Sequence, residues 1–231
     1  MASSEVRLLS SWISPFVLRA KIALNIKRID YESIPENLSA KSDLLLKSNP
    51  VHKKVPVLIH GDRIICESLV IVQYVDEVWA SGPEILPSDP HDRAIARFWA
   101  AYIDEKWYPN LRAVLVIEED GAKKAKLEQL SEGLVLFEDT FTKCGKGKKF
   151  FGGDNIGYLD IALGCFLAWL RLIERTIDAI LLDETKTPRV FRWARDFSAE
   201  PEVIADTPET DQLYEYWKGF MLKLKAMEKH K

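Results

Sequence analysis

V-R-L-L-S-S-W-I-S-P-F-V-L-R-A-K-I-A-L-N-I-K, residues 6–27, carries the reading of the fold. Its first four residues, 6–9, form a short apolar run suited to a buried strand. Ser14 and Pro15 then open a helix, because Ser is a favoured N-cap and Pro is favoured at the first helical position. The helix runs to about Lys27 and includes Ala20, Ala23 and Leu24.

Working outward, 30–34 reads as a second strand, and a shorter helical piece at 42–48 stops at Pro50. The run V-P-V-L-I-H (55–60) is a buried strand. Gly61-Asp62 makes a two-residue hairpin turn, and 63–66 returns as the next strand. Ser68 is expected to cap a helix over 69–79. The order β-α-β-α-β-β-α ends in a hairpin, so the four-stranded sheet is mixed, with the first helix crossing between parallel strands. This is a thioredoxin-like α/β domain spanning 1–80.

Residues 81–90 hold Gly82, Pro83, Pro87 and Pro90 and read as a linker. From 91 to 231 the pattern is all-α, a C-terminal helical bundle with helices expected near 90–118, 123–143, 157–181, 188–199 and 209–228. One signal inside it is sharp. Gly157 is followed three residues later by Asp160, with Ile156 before and Ile161 after, which is a capping box with a hydrophobic staple. Gly replaces the usual Ser or Thr at the cap, at little cost.

Composition narrows the function. The chain has 231 residues, 47% of them apolar, with seven Trp, enough for two cored domains. A formal net charge of -3 disfavours a nucleic-acid partner. No long apolar run follows the first residues, so no signal peptide is expected. The most apolar stretch, 161–170, is half a membrane span and reads as a buried helix, so no membrane partner is expected. Three unpaired cysteines, Cys66, Cys144 and Cys165, fit a reducing compartment, the cytosol. Four scattered His and no Cys cluster argue against a metal site.

Three features of the first domain converge on one chemistry. Ser14 sits at a helix N-terminus, where the dipole favours anions and a hydroxyl can donate to one; the alternative is an ordinary N-cap. Pro56 opens an otherwise good strand, which fits either a cis Val55-Pro56 peptide that turns the Val55 backbone toward an extended peptide or an edge strand. Glu67-Ser68 begins a helix whose N–H groups suit a carboxylate, with Glu67 available to an ammonium group; the plainer account is that Ser68 only caps. Lys41 and Lys54 add two cations on the same edge. A small peptide with two carboxylates, one ammonium and one thiol matches this set, and glutathione is that molecule.

The segments W-I-S-P-F-V-L-R-A-K-I-A-L (12–24), N-P-V-H-K-K-V-P-V-L-I-H (49–60), E-S-L-V-I-V-Q-Y-V-D-E (67–77) and L-P-S-D-P-H-D-R-A-I-A-R-F-W (86–99) resemble those of tau-class plant glutathione transferases. The resemblance is dense over the first 110 residues and thinner after Ala113. It implies a homodimer that uses glutathione as co-substrate, without a metal, to conjugate apolar electrophiles in detoxification and stress response. It implies that Ser14 is catalytic and that Lys41, Lys54, the Val55 backbone before a cis Pro56, Glu67 and Ser68 bind glutathione, supported by Arg19 and Asp104. The acceptor pocket it implies is lined by Phe16, Tyr108, Arg112, Leu115, Trp169, Leu213 and Trp217. Leu115 stands where many relatives carry an aromatic.

Two rival readings use the same scaffold. A thiol-disulfide oxidoreductase of this fold carries Cys at the position of Ser14, and Cys66 reads as a strand residue. A non-catalytic carrier of apolar ligands would suit the many aromatics, among them Tyr102, Tyr108, Tyr214 and Tyr216, although most of these are core packing. For the dimer, Asp76 and Glu77 beside Arg93 and Arg97 are candidates for pairing across a two-fold axis. The basic runs 146–149 and 223–231 read as solvated surface.

Overall fold

A computed structural model describes residues 5–145 and 147–228. The ends of the basic runs, Lys146 and 229–231, and any leader within 1–4 lie outside the described residues.

Strand β1 (Val6–Ser10) leads into helix α1 (Pro15–Ile26), then β2 (Glu32–Pro35), α2 (Asp43–Ser48), β3 (Val57–His60), β4 (Arg63–Cys66) and α3 (Ser68–Val78). The sheet order is β2-β1-β3-β4, with β1 parallel to β2 and antiparallel to β3, and β3 antiparallel to β4. The mixed sheet is therefore as the hairpin required. Pro56 precedes an interior strand and not an edge strand, because β3 lies between β1 and β4.

Alternation along β1 splits the sheet's two faces. Leu8 and its partner Leu58 pack with α1 and α3, while Leu9, Val57 and Ile59 form a separate small cluster with Leu45 of α2. A strand buried on both faces reads as a continuous apolar run, which 57–59 shows and which only Arg7 interrupts in 6–9.

Helices α4 (Pro90–Tyr102), α5 (Tyr108–Val116), α6 (Asp120–Cys144), α7 (Tyr158–Gly164), α8 (Leu167–Ile177), α9 (Pro188–Ser198), α10 (Pro201–Ile204) and α11 (Thr210–Glu228) follow. Two expected single helices are interrupted. Between α4 and α5 lies a π turn, Ile103–Trp107, in which Tyr108 N–H reaches back five residues to the Ile103 carbonyl. Pro109 explains it: with no N–H, it cannot continue the regular ladder there. The helix expected over 157–181 breaks after Gly164, whose α-carbon approaches the Phe197 ring so closely that an added Cβ would sit 2.2 Å from it.

The linker is pinned. The Asp76 carboxylate accepts from Ile85 N–H (3.1 Å) and Leu86 N–H (2.9 Å) and pairs with Lys27 at 2.7 Å. Tyr158 N–H donates to the Ile85 carbonyl at 2.8 Å. Asp76 was a candidate for a dimer ion pair; it is spent on the linker instead. Arg97 donates both Nε and Nη2 to the Gln73 side chain on α3.

The capping box at α7 is built around Asp160. Its carboxylate is fully buried and accepts from Gly157 N–H, Gly152 N–H, Phe151 N–H and Trp193 Nε1–H. Burial pushes this carboxyl up to about 6, while the four donors pull it back down.

Candidate functional site

The register of the sheet gathers the candidate residues at one end. Leu9 pairs with Val57, and Val57 with Cys66. The chain leaving β1 for Ser14, the chain entering β3 from Val55, and the chain leaving β4 for Glu67 therefore meet at the same edge. Glu36 joins them: its N–H donates to the Ser10 carbonyl at 2.7 Å, and its carboxylate accepts from the N–H and hydroxyl of Ser42, next to Lys41.

Ser14 is the N-cap of α1. Its Oγ accepts from Val17 N–H at 3.3 Å, and the residue is half-buried. A hydroxyl that accepts with a lone pair keeps its own hydrogen to donate, so capping and anion stabilisation are compatible at this atom. Positive helix-dipole charge acts at the same point.

Val55-Pro56 is cis, and the β3 ladder begins only at Val57, which leaves the Val55 peptide groups outside the sheet's pairing. Asn49, which the sequence reading passed over, braces this approach. It is buried, donates Nδ2–H to the Lys54 carbonyl at 3.0 Å and accepts from His52 N–H at 3.0 Å. Its N-P dipeptide is a turn signal that could have flagged it. Lys41 and Lys54 are exposed, and neither side chain has a partner among the described residues.

Glu67, not Ser68, is the N-cap position of α3, which begins at Ser68 itself. Glu67 holds a left-handed φ of 72°, a conformation costing a non-glycine residue roughly 1–3 kcal/mol and found disproportionately at functional sites. Its side chain is mostly exposed and makes no cap bond; its carboxylate lies 3.7 Å from His52 Nε2.

Ser68 is buried and its Oγ accepts from Arg19 Nη1–H at 3.3 Å. Arg19 is fully buried and forks onto Asp104 with bonds of 2.9 and 2.6 Å. Burial alone would lower its basicity; the neighbouring Cys165 sulfur and Asp104 more than reverse this, so the guanidinium stays charged. The π turn is what carries Asp104, and it also sets the phase of Tyr108 on α5.

Of the expected acceptor-pocket residues, Phe16, Tyr108 and Trp169 make contacts that join the two halves of the chain, Trp217 packs against α5, and two are core residues. The Phe16 ring meets Tyr108 edge-on at 5.1 Å, and Tyr108 stacks on Phe166 at 4.9 Å, an aromatic the sequence reading missed. Trp169 Nε1–H donates to the Ile13 carbonyl, one residue before Ser14, at 3.1 Å. Trp217 Nε1–H donates to the Leu115 carbonyl at 3.3 Å, tying α11 to α5. Leu213 is fully buried and Leu115 nearly so: both belong to the core that α11 and α5 share with their neighbours. Arg112 is exposed one turn beyond Tyr108, where it opposes the upward push that burial gives the Tyr108 phenol. Trp12, just before Ser14, and Tyr216 of α11 meet edge-to-face at 5.6 Å.

A separate cavity of about 860 Å³ lies between the linker, α4 and α6, over Ile95, Trp99, Phe151 and Tyr158, and none of the candidate site residues lines it. Asp89, His91 and Asp92 cluster at the start of α4, where the Asp89 carboxylate caps the helix by accepting from the other two N–H groups. No helix of the described residues is long and apolar enough to cross a membrane.

Comparison with known proteins agrees with this geometry. The family model for the glutathione S-transferase N-terminal domain matches residues 4–77, and that for the C-terminal domain matches 120–196. Glutathione S-transferase U17 of Arabidopsis thaliana is 56% identical over 227 residues, covering 98% of this chain and 100% of the relative. The tau-class transferase of mango, Mangifera indica, superposes with a TM-score of 0.89 at 60% identity over 92% of this chain and 97% of its own. Rice GST1, solved in complex with glutathione, gives 0.86 at 34% identity over 96% and 99%. Fold and sequence agree along both matched regions, and the chain belongs to the tau class of the glutathione S-transferase family.

Proposed function

We propose that the chain conjugates the glutathione thiolate to apolar electrophiles, with Ser14 stabilising the thiolate and the two domains, 1–80 and 91–231, supplying the glutathione and acceptor sites. The observation that carries the reading is the Ser14 hydroxyl: its lone pair caps α1 while its hydrogen remains available at the positive end of the helix. Lys41 and Lys54 suit the glycyl carboxylate, the unpaired Val55 peptide suits the cysteinyl backbone, and Glu67 with Ser68 suits the γ-glutamyl end.

A free thiol near pKa ~8.5 is mostly protonated at neutral pH. Lowering it by roughly 2 units takes about 2.7 kcal/mol. A helix end contributes up to about 2 kcal/mol and a charge-assisted hydrogen bond about 1.5–3 kcal/mol, which together suffice. The thiol proton leaves to solvent. With an aryl halide, sulfur then bonds to the ring carbon and halide departs with the bonding pair, while shared binding of both reactants supplies proximity.

The test is an assay of the purified chain with glutathione and an aryl halide beside a glutathione mixed disulfide. Conjugation with little disulfide reduction is expected. Strong disulfide reduction would favour the oxidoreductase reading, and neither activity with tight binding of apolar dyes would favour the carrier.

The proposal includes a homodimer. Gln73 and Arg97 join α3 to α4 at the surface, flanked by the exposed apolar side chains of Val70 and Phe98, a combination that suits burial against a second copy. Light scattering at micromolar concentration is expected to give about twice the 26.4 kDa chain mass. A monomer at that concentration would rule the dimer out.

A further inference from the structure

Arg19 has five N–H groups, and all five are engaged. Nη1 donates to Ser68 Oγ and Asp104 Oδ2, Nη2 to Asp104 Oδ1 and the Ala162 carbonyl (2.7 Å), and Nε to the sulfur of Cys165 at 3.2 Å. Four elements therefore hold one guanidinium: α3, the π turn, the end of α7 and the junction before α8. Two of these contacts fall at the break between α7 and α8. In an unbroken helix the Ala162 carbonyl would accept from Phe166 N–H; here Phe166 N–H turns to Leu163 at 3.1 Å, and the Ala162 carbonyl is left for Arg19.

Cys165 sits at that break. It is buried, its S–H donates to the Ala162 carbonyl at 3.4 Å, and its sulfur accepts from Arg19. Burial pushes the thiol up to about 12, with Arg19 opposing, so it stays a neutral thiol that can donate and accept at once and has no nucleophilic use.

We infer that Cys165 is a positioning residue for the glutathione site, its sulfur taking the last Arg19 N–H and thereby fixing the guanidinium that orients the Ser68 hydroxyl. The inference rests on the glutathione reading above. Because Arg19 donates into Ser68 Oγ, the Ser68 hydrogen is turned away and is free for a ligand carboxylate. Without an acceptor at residue 165, a buried, charged N–H loses its partner. The guanidinium then shifts to find another, and Ser68 loses its fixed donor direction.

Two substitutions separate this role from packing. Cys165→Val removes the acceptor and adds one carbon; Cys165→Ser keeps donor and acceptor and shrinks the side chain. The measurements are the glutathione Kd by calorimetry and the KM of each substrate, taken below each variant's melting temperature. Cys165→Val is expected to raise the glutathione Kd and KM about 5- to 30-fold while the aryl halide KM moves less than about 2-fold. Cys165→Ser is expected to stay within about 3-fold of wild type on every measure. A packing role predicts that Cys165→Ser and Cys165→Ala, which both shrink the side chain, weaken binding alike, and glutathione binding by Cys165→Val equal to wild type would overturn the inference. If Cys165→Val does not fold, Cys165→Ala replaces it with the same expectation. Wild type that binds glutathione but conjugates nothing would overturn the proposed reaction alone, since the Kd comparison still reads out Cys165. Wild type that does not bind glutathione would overturn both.

Discussion

Ser14→Ala is expected to lower turnover by roughly 10- to 1000-fold, a loss of about 1.4–4 kcal/mol of thiolate and transition-state stabilisation. Glutathione affinity should change far less, because the contacts proposed for its ends, from Lys41, Lys54, the Val55 backbone, Glu67 and Ser68, are untouched. The same change removes the N-cap bond to Val17, which costs about 0.5–2 kcal/mol of stability. Stability and catalysis therefore fall together, and a melting curve alone cannot tell them apart. Ultraviolet titration of bound glutathione can. In wild type the thiol pKa should lie well below that of free glutathione, and in Ser14→Ala it should return toward it. An unchanged pKa in the variant would reduce Ser14 to a cap. Ser14→Cys sharpens the point. A thiol at a helix N-terminus is acidified to between ~3.5 and ~7.5, so it would attack a glutathione mixed disulfide, releasing the other half as thiolate, and a second thiolate would displace the bound glutathione. The same anion repels the glutathione sulfur, so conjugation should collapse as disulfide reduction appears. Conjugation by Ser14→Cys at the wild-type rate would refute the assignment of residue 14.

Asp160→Asn is expected to have the largest effect on stability. Both carboxylate oxygens accept from two N–H donors each, and the side chain is fully buried. An amide of the same size must turn its NH2 toward two of those donors, whichever way it flips. Two N–H groups lose their acceptor and a third donor is added, in a place water does not reach. The expected cost is about 3–5 kcal/mol, a large part of the 5–15 kcal/mol by which domains are usually stable. For a chain of this size the melting temperature should drop by about 10 °C or more. The glutathione KM of the folded fraction should move less than about 2-fold, since Asp160 touches none of the proposed glutathione contacts. Melting within about 2 °C of wild type would mean that the staple of Ile156 and Ile161 suffices to start α7 without the carboxylate.

The features legible in the sequence are those fixed by neighbours along the chain. Ser14-Pro15 marks a helix start because the cap bond reaches only three residues ahead, to Val17. Gly61-Asp62 marks the hairpin because turn geometry depends on the two residues in it. Gly157 and Asp160 mark the start of α7 for the same reason. The mixed sheet then follows from connectivity, since β3 and β4 are joined too tightly to be anything but antiparallel. Of the proposed site residues only Ser14 sits on one of these corners; Lys41, Lys54, Val55, Glu67 and Ser68 are named from the Val55-Pro56 and Glu67-Ser68 pairs together with the family resemblance.

What the sequence did not determine depends on groups far apart in the chain. Arg19 finds its acceptors 49, 85, 143 and 146 residues away. The break before α8 is invisible in an apolar run; it lies beside Gly164, where the Phe197 ring from a distant helix leaves no room for a Cβ. The π turn has a local trace in Pro109, but that it delivers Asp104 to Arg19 is a matter of packing. Glu67 takes the cap position that Ser68 was expected to hold, and the Ser68 hydroxyl accepts from Arg19, 49 residues away. The resemblance implied Leu213 as a pocket residue, and it lies in the core, because a family motif carries over a position along a helix but not how that helix is rotated against its neighbours. Sequence-local sterics and hydrogen bonding decided where the elements begin and how they pair. Burial of distant side chains against one another decided which way each functional group points.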